Sequence, residues 1–318
     1  MWEAISTQFA ELHSWVFQTL IQPALYSMGM MNWDEIAFDG TELFLIGLIE
    51  LFLLYALFRP LELLAPVENW PNRSEANVDF FYAMLTKLGI LPLFFFLVLT
   101  PTFDWVNGTL RISGIIPPNL EDFVPALKNA PILSAVTYLL LFDFTDYWRH
   151  RLQHRWGIWW ALHSLHHSQR QMSFWSDDRE HLLDQLISSL WRASLGLIIG
   201  VPPVQFLAVT LISGAIEAFS HANVRLSFGP VGDRLIVSPR FHCLHHAMAV
   251  GHDGVYKGCN FAAVFSIWDV LFGTANFDAA YHPTGISDQN QGVDYGMGFW
   301  AQQRLGLRRL WNARSVPR

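Results

Sequence analysis

The sequence has few charged residues and only two cysteines. Charged side chains make up 15% of its 318 residues, whereas soluble globular chains average about 25%. Hydrophobic residues account for 52% and aromatic residues for 15%, so too little charge remains to cover a soluble surface. The composition argues against an ordinary soluble domain and predicts a chain partly immersed in a bilayer.

Cationic residues are also scarce, because 20 Lys and Arg stand against 27 Asp and Glu, for a formal net charge of −7. Nucleic acid would need a basic surface, so we expect no nucleic-acid partner. Cys243 and Cys259 lack the CxxC spacing of a zinc or redox site, and we expect reduced thiols. Glu3 stands where a signal peptide would carry Lys or Arg, and we expect no cleaved signal.

Long apolar runs are present, and they predict membrane helices. The runs cover residues 43–58, 80–100, 132–148, 186–199 and 204–219. Some are shorter than the roughly 20 residues of a perpendicular span, so tilted helices or hairpins are expected. No Lys or Arg precedes Arg59, which predicts a non-cytoplasmic N-terminal segment. Alternation of the runs then places residues 149–183 and the chain after His221 in the cytoplasm.

These patterns predict an all-α, polytopic membrane protein. We expect four to five transmembrane or hairpin helices, with the histidine-rich segments on the cytoplasmic side. The predicted divisions are an amphipathic interfacial segment at 1–42, N-terminal membrane helices at 43–130, a histidine-rich domain at 131–282 and a basic tail at 283–318. Glu50, Lys87 and Arg192 lie within or near apolar runs, where a functional role and interface placement explain each charge equally well.

Histidine is abundant and grouped, because 12 of the 13 lie between residues 150 and 282. His150 and His154 are four apart and share one helix face. Two HxxHH triplets follow, at residues 163–167 and 242–246. In each triplet the first histidine shares a face with both others, while the adjacent pair diverges by about 100°. One short helix is thereby able to serve two neighbouring metal ions.

Imidazole suits iron, and two iron ions with four or five nitrogen ligands each need about eight to ten histidines. The candidate ligands are His150, His154, His163, His166, His167, His221, His242, His245 and His246, with His181 as a tenth. A membrane haem would instead use one axial histidine from each of two helices. A zinc protease would show HExxH, which the sequence lacks. The isolated His13, His252 and His282 are interpreted as ordinary surface or hydrogen-bonded histidines.

The histidine pattern resembles the fatty acid hydroxylase / sterol desaturase superfamily of membrane non-haem di-iron oxidases. The resemblance spans about 130 residues and rests on DFTDYWRHRLQH from Asp143, HSLHHS from His163, REHLLD from Arg179, SHANV from Ser220, FHCLHH from Phe241 and NFAAVFSIWDVLFGT from Asn260. It implies transmembrane helices beneath a cytosolic, histidine-rich helical cap, and a di-iron domain within residues 131–282. It also implies use of O2 and an external electron donor. One departure is Glu217, four residues before His221, which is either a metal-site carboxylate or a helix-end charge.

Ligating histidines commonly donate their second N–H to a carboxylate or carbonyl. The candidate acceptors are Asp143, Asp146, Asp184, Glu217 and Asp269, with salt bridges to neighbouring arginines as the competing explanation. We expect no bound flavin or haem, because the sequence has no GxGxxG after a strand, no ferredoxin cysteine set and no HPGG motif. A reductase with cytochrome b5 or a ferredoxin-type carrier is therefore expected as the electron donor.

The expected activity is O2-dependent hydroxylation of a C–H bond in a lipid that enters from the membrane. Desaturation at the same site is one alternative, and an inactive relative that binds lipid or metal is another. Sterols, fatty acyl chains, sphingoid bases, alkylglycerols, ornithine lipids and carotenoids are all substrates within the superfamily, and the sequence selects none. The expected location is the inner membrane in a bacterium or the endoplasmic reticulum in a eukaryote.

Overall fold

A computed structural model describes residues 2–70, 72–116, 118–248, 250–252, 258–296 and 298–313. The structure is 71% helical, which confirms the predicted all-α class. Lys257 and two arginines of the predicted basic tail, Arg314 and Arg318, lie outside the described residues. Within the described residues the only β pairing is an isolated bridge between Ala247 and Thr284.

Fourteen α-helices occur in the described part of the chain. They are α1 (Trp2–Val16), α2 (Gln22–Ser27), α3 (Asp34–Leu64), α4 (Ser74–Lys87), α5 (Ile90–Ile112), α6 (Leu120–Phe123), α7 (Pro131–Arg155), α8 (Gly157–His163), α9 (Leu182–Ile199), α10 (Pro203–His221), α11 (Gly229–Gly232), α12 (Pro239–His245), α13 (Ile267–Leu271) and α14 (Phe299–Ala313). Among these described helices, four are long and apolar enough to cross a membrane, namely α3 with the turn before it, α5, α9 and α10.

The apolar run at residues 80–100 forms two helices, which corrects the prediction of a single membrane helix. Gly89 adopts φ +76° between α4 and α5, a conformation that glycine takes without a steric penalty. Gly47 of α3 lies so close to the Lys87 carbonyl that a Cβ would collide with it. The chain therefore turns directly after the residues of α4 that pack against Gly47 of α3.

Two of the charges that the sequence left unassigned form an ion pair. The Lys87 Nζ lies 3.1 Å from the Glu50 Oε1 and 3.8 Å from the Asp178 Oδ1. Gly214 of α10 lies against this pair. The charges are therefore paired with one another where α3, α4 and α10 meet, and they face each other instead of lipid.

Helix α7 has the most buried residues of the long described helices. It is not among the four helices that are apolar enough to cross a membrane. Its buried side chains include the polar residues Ser134, Asp143, Asp146, Arg149 and Gln153. It packs against α8 and α10. The predicted run at 132–148 is thus helical, but much of its length faces protein, because its polar side chains need partners there.

The remaining short elements place histidines around the end of α7. Helix α12 begins after Ser238, whose side chain accepts a hydrogen bond from the Phe241 N–H, a common N-cap arrangement. Helix α14 packs on α8 at the same end of the molecule.

The N-terminal helices lie against α3, where Phe17 packs edge-on against Phe38. Leu12 and Trp15 stay exposed, as an interfacial segment requires, and that assignment stays a prediction. The predicted boundary after residue 42 falls inside α3, because the helix already begins at Asp34.

Candidate metal centre

The end of α7 carries the first two histidines of the site. His150 and His154 lie one turn apart, and neither is more than 9% exposed. The Nδ1–H of His150 donates to the Phe261 carbonyl at 2.7 Å. The Phe261 and Ala262 amides in turn donate to the Asp269 carboxylate, both at 2.8 Å. Because Nδ1 is the donor, the Nε2 lone pair of His150 is directed away from the loop.

Four buried histidines form the first histidine group, which comprises His150, His154, His167 and His245. One ring nitrogen from each lies within 4.8 Å of the others. The Nε2 atoms of His150 and His245 are 3.0 Å apart. The Nδ1–H of His245 donates to the Cys259 carbonyl at 2.6 Å, so this histidine also presents Nε2 to the group.

The second histidine group comprises His166, His221, His242 and His246, which are also buried. The Nε2 of His221 lies 3.3 Å from that of His166 and 3.0 Å from that of His242. The Nε2 atoms of His242 and His246 are 3.2 Å apart. The Nδ1–H of His221 donates to the Glu217 carbonyl, one turn earlier in α10, at 2.7 Å.

Each HxxHH triplet supplies both groups. His167 and His245 belong to the first group, whereas their chain neighbours His166 and His246 belong to the second. The rings of His167 and His246 stack across the two groups with centroids 4.4 Å apart. Adjacent histidines diverge as the helical geometry requires, so the two groups lie side by side.

The donor set fits two metal ions. Two nitrogens that are each about 2.1 Å from one ion stand about 3.0–3.4 Å apart at ligand angles of 90–109°, and the Nε2 separations fall in that range. Several buried ring nitrogens have no hydrogen-bond partner among the described residues, namely both of His154 and His167 and the Nδ1 of His166, His242 and His246. Buried polar groups normally have partners, and a metal ion would satisfy part of this set.

Burial also keeps these rings neutral, as ligands must be. It lowers the pKa of five triplet histidines well below the ordinary value, and neighbouring histidines lower it further. These residues are His166, His167, His242, His245 and His246. Two groups of neutral, inward-facing imidazoles therefore line the site.

His163 lies between the two groups and belongs to neither. Its ring centroid is 5.0 Å from those of His150 and His167 and 5.2 Å from that of His166. Its Nδ1 lies 3.0 Å from the Asp184 Oδ2, and its buried Nε2 has no hydrogen-bond partner within the described part of the chain. The structure places it with Glu180 and Asp184 in a third set of adjacent metal-ligating side chains.

The Asp184 carboxylate contacts three side chains, of which His163 is one. Besides the histidine, it accepts hydrogen bonds from the Gln153 Nε2 at 2.9 Å and the Trp159 Nε1 at 2.7 Å. Among the five predicted carboxylate acceptors, it alone has a side-chain contact with a candidate metal-ligand histidine in the described hydrogen bonds.

His181, the tenth candidate ligand predicted from the sequence, is outside all three sets. Its Nδ1 accepts the Leu183 N–H at 3.1 Å and its Nε2 lies 3.0 Å from the Gln303 carbonyl. Both nitrogens are thus used in capping α9 and in holding α14. The ring also packs against Gly306, where a Cβ would collide with it.

The other predicted carboxylates contact backbone amides or arginines. Asp143 accepts from the amides of Val264 and Phe265 and from the Trp268 Nε1. Asp269 braces the loop whose Phe261 carbonyl receives His150, so its action on the histidine is indirect.

The remaining two carboxylates, Asp146 and Glu217, contact Arg192 through their side chains. For these two the competing salt-bridge explanation describes the contacts.

Some residues of the site were not found by sequence reasoning. The carbonyls of Phe261, Cys259 and Glu217 receive three of the histidines, but a carbonyl carries no sequence signal. Glu180 stands beside His163, and its position directly before His181 was the available hint. His252 is buried with its ring centroid 5.1 Å from that of His167, and it looked isolated because its neighbours come from distant segments.

Comparison with known proteins shows which proteins this region is similar to. The model of the fatty acid hydroxylase family matches residues 135–274. An ornithine lipid hydroxylase, OlsE, of Rhizobium tropici is 31% identical over 145 residues, covering 44% of this chain and 41% of the relative. Human alkylglycerol monooxygenase is 30% identical over 174 residues, covering 54% and 35%. A Delta(7)-sterol 5(6)-desaturase, erg3C, of Aspergillus fumigatus is 24% identical over 194 residues, covering 54% and 57%.

The matched part lies within the predicted histidine-rich domain and holds all eight residues of the two histidine groups. The chain spans about two fifths of the ornithine lipid hydroxylase and about a third of the human monooxygenase. No solved structure matches the chain.

Proposed function

We propose that this chain is a membrane-bound di-iron oxidoreductase that hydroxylates a C–H bond of a lipid, in keeping with the match of residues 135–274 to the model of the fatty acid hydroxylase family. The observation that carries the proposal is the division of eight buried histidines into two adjacent groups of four. The reaction R–H + O2 + two electrons + two protons → R–OH + H2O needs an external electron donor.

The first histidine group would hold one iron and the second group the other, with His163 between them. Bound iron would supply the activation of O2 that oxidation of an unactivated C–H bond requires. The chain itself positions the ligands, because the carbonyls of Phe261, Cys259 and Glu217 fix which ring nitrogen faces inward. The buried histidines and the aromatic rings beside them keep water from the site.

The substrate would come from the membrane. Two candidate spans, α3 and α5, precede the matched domain, and the other two, α9 and α10, lie within it. Helix α9 begins directly after His181, and α10 ends at His221. The relatives are named for lipid substrates of different kinds, an ornithine lipid, an alkylglycerol and a sterol. We propose that the reacting lipid lies between apolar helices, with its oxidised carbon next to the two histidine groups.

Desaturation is the second candidate, since one relative is named a desaturase. In that case two hydrogens leave adjacent carbons and no oxygen is inserted. For electron supply we propose a separate reductase with a cytochrome b5 or ferredoxin-type carrier, which docks on the side that carries the histidines. The positive-inside pattern supports a cytoplasmic position for that side, in the inner membrane of a bacterium or the endoplasmic reticulum of a eukaryote.

The proposal is tested by comparing lipid extracts from cells that express the wild type, His166→Ala or His282→Ala. His166 is in the second histidine group, whereas His282 pairs with Asp278 away from both groups and serves as the control. We expect a lipid with one added oxygen in the wild type and control only. A lipid short of two hydrogens would establish desaturation instead. Unchanged lipids together with iron-free purified protein would contradict both activities and support an inactive relative.

A further inference from the structure

Helix α14 has one exposed face that is both apolar and basic. Its residues recur at intervals of three or four, so they share one side of the helix. They are Trp300, Arg304, Leu307, Arg308 and Trp311, and we call them the Trp300 face. Both tryptophans keep 71% of their surface exposed, and Leu307 keeps 48%. Large apolar side chains grouped on a surface indicate a contact with something outside the chain.

The opposite side of α14 is bonded to two helices at the point where they approach the membrane. The Gln303 Oε1 accepts the Leu182 N–H at 2.9 Å, and Leu182 is the first residue of the candidate span α9. The Gln302 Oε1 accepts the Tyr82 O–H at 2.9 Å. Tyr82 belongs to α4, which directly precedes the candidate span α5.

These bonds fix the level of α14 relative to the bilayer. Helix α9 has 18 residues, or about 27 Å at 1.5 Å per residue, whereas the hydrocarbon core is about 30 Å thick. A span this short must use its whole length, so its first residue lies at the bilayer boundary. The Gln185 Nε2 donates to the Thr86 Oγ1 of α4 at 3.1 Å, so α5 begins nearby. Trp300 and Leu307 are within four residues of Gln303, which is no more than about 6 Å along the helix axis.

An exposed aromatic surface joins α4 to the Trp300 face. Phe81 of α4 is 45% exposed, and its ring centroid lies 5.5 Å from that of Phe299. The ring of Phe299 in turn contacts that of Trp300 at 5.0 Å. The exposed aromatic surface therefore runs from the helix that leads into a span onto α14. Tryptophan is enriched at the level of lipid head groups, where its ring meets both apolar and polar surroundings.

The charge of this end of the chain is opposite to that of the whole. After Asp294 the sequence has five arginines and no Asp or Glu, although the chain carries a formal net charge of −7. Within α14, Arg309 pairs with Asp288, whereas Arg304 and Arg308 belong to the exposed Trp300 face. Guanidinium groups bind phosphate oxygens through charge-assisted hydrogen bonds. The Trp300 face therefore complements a layer of anionic phospholipid head groups.

From these observations we infer that the Trp300 face lies in the head-group layer of the bilayer, on the side that carries the histidines. Trp300, Leu307 and Trp311 reach toward the acyl chains, and Arg304 and Arg308 bind the phosphates of anionic phospholipids. An acidic carrier protein would also match the arginines, but it gives no reason for exposed tryptophans at the level where spans begin. The inference concerns a membrane contact, so it does not depend on the proposed reaction.

The first test measures the depth of a spin label on the Trp300 face. Cys243 and Cys259 are replaced by Ala, and a nitroxide is attached to Leu307→Cys in nanodiscs of equal parts phosphatidylcholine and phosphatidylglycerol. We expect the label to collide more often with O2, which concentrates in lipid, than with a water-soluble nickel complex. The control label is placed at Gln291→Cys. This exposed residue lies near Asp288, which contacts the opposite side of α14 through Arg309, and its label should collide mainly with the nickel complex.

The contribution of the arginines is tested by replacing Arg304 and Arg308 together by Gln. The ratio of lipid-embedded to aqueous label at residue 307 should fall about 25-fold, at about fivefold for each arginine near an anionic surface. Wild-type protein in nanodiscs of phosphatidylcholine alone should show a similar loss. Arg309→Gln is the matched control, because it removes the same charge from the same helix outside the Trp300 face, and it should leave the ratio unchanged.

Two results would overturn the inference. A label at residue 307 that meets the nickel complex as freely as the label at residue 291 would show that the Trp300 face is in water and open to a protein partner. A label that stays in lipid after both arginine substitutions would show that the arginines do not bind head groups. Neither result depends on iron content or lipid oxidation, so failure of this inference is distinct from failure of the proposed function.

A second measurement keeps both native cysteines and decides the question if the cysteine-free protein does not fold. Wild type and the Arg304→Gln, Arg308→Gln variant are purified from the same lipid mixture, and their bound lipids are counted by native mass spectrometry. The variant should retain about two fewer phosphatidylglycerol molecules, one for each guanidinium lost, and an unchanged number of phosphatidylcholine molecules. Equal phosphatidylglycerol counts in the two proteins would overturn the inference.

Discussion

In the first histidine group, His150 and His245 donate to the carbonyls of Phe261 and Cys259, which belong to a loop that follows the second triplet. In the second group, His221 donates to a carbonyl of its own helix, that of Glu217. The first group therefore depends on a tertiary contact between α7 and a distant loop, whereas this part of the second group forms as soon as α10 does. Both groups consist of four histidines, but we expect different substitutions to weaken metal binding in each.

The largest expected effect comes from removing one ligand of either group. His245→Ala should empty the first group and His246→Ala the second, so iron should fall from about two to about one per chain in each variant, because a structural metal needs its full ligand set. Lipid oxidation should fall to background in both. Elemental analysis measures the iron content per chain, and analysis of the lipid products measures the oxidation activity. A variant that retains both irons would show that its histidine is not a ligand.

A smaller and one-sided effect is expected for Asp269→Asn. This change weakens the bonds from the amides of Phe261 and Ala262 that brace the loop. Iron affinity of the first group should fall about 10- to 100-fold, as for other residues that orient metal ligands. The second group should keep its iron, as competition with a chelator would show.

The matched control for that change is Asp143→Asn. Asp143 braces Val264 and Phe265, a few residues further along, and leaves the Phe261 and Ala262 bonds intact. Equal iron loss from both groups in Asp269→Asn would contradict the difference between them.

Asp184→Asn should affect both groups to a smaller extent. It removes the carboxylate that holds His163, which lies between the groups, and it weakens the bonds to Gln153 and Trp159. We expect a loss of about 2 kcal/mol in the free energy of unfolding, because buried donors lose a charged acceptor. Thermal unfolding measures this loss. A stability equal to that of the wild type would mean that Asp184 does not brace the site.

The smallest effect is expected for His181→Ala. His181 caps α9 and stands outside both groups, so the change should cost about 1 kcal/mol of stability, as loss of an N-cap does. Iron content should stay at the wild-type value. Loss of iron at unchanged stability would restore His181 as a tenth ligand.

Much of the candidate metal centre follows from spacing in the sequence. Adjacent histidines of an HxxHH triplet diverge on a helix, and the structure sends His166 and His167, like His245 and His246, to different groups. The all-α class was predicted from the apolar runs, and it is confirmed.

Other features depend on contacts that no local pattern reveals. The apolar run at 80–100 continues through Gly89, and its break is visible only once α3 packs against α4. His181 looked like a ligand because it lies near the other histidines in sequence. In the structure its Nε2 is instead hydrogen-bonded to the carbonyl of Gln303, which lies 122 residues later. Asp146 has the spacing of a hydrogen-bond acceptor for His150, but its carboxylate instead accepts a hydrogen bond from Arg192 of α9.

The most direct test of the central claim is the number of irons per chain in the purified wild-type protein, measured by elemental analysis and by Mössbauer spectroscopy after loading with 57Fe. The account predicts about two irons in two distinguishable nitrogen-rich environments, one for each histidine group. A single iron environment, or protein that keeps less than one iron per chain after loading, would contradict the assignment of one metal ion to each group.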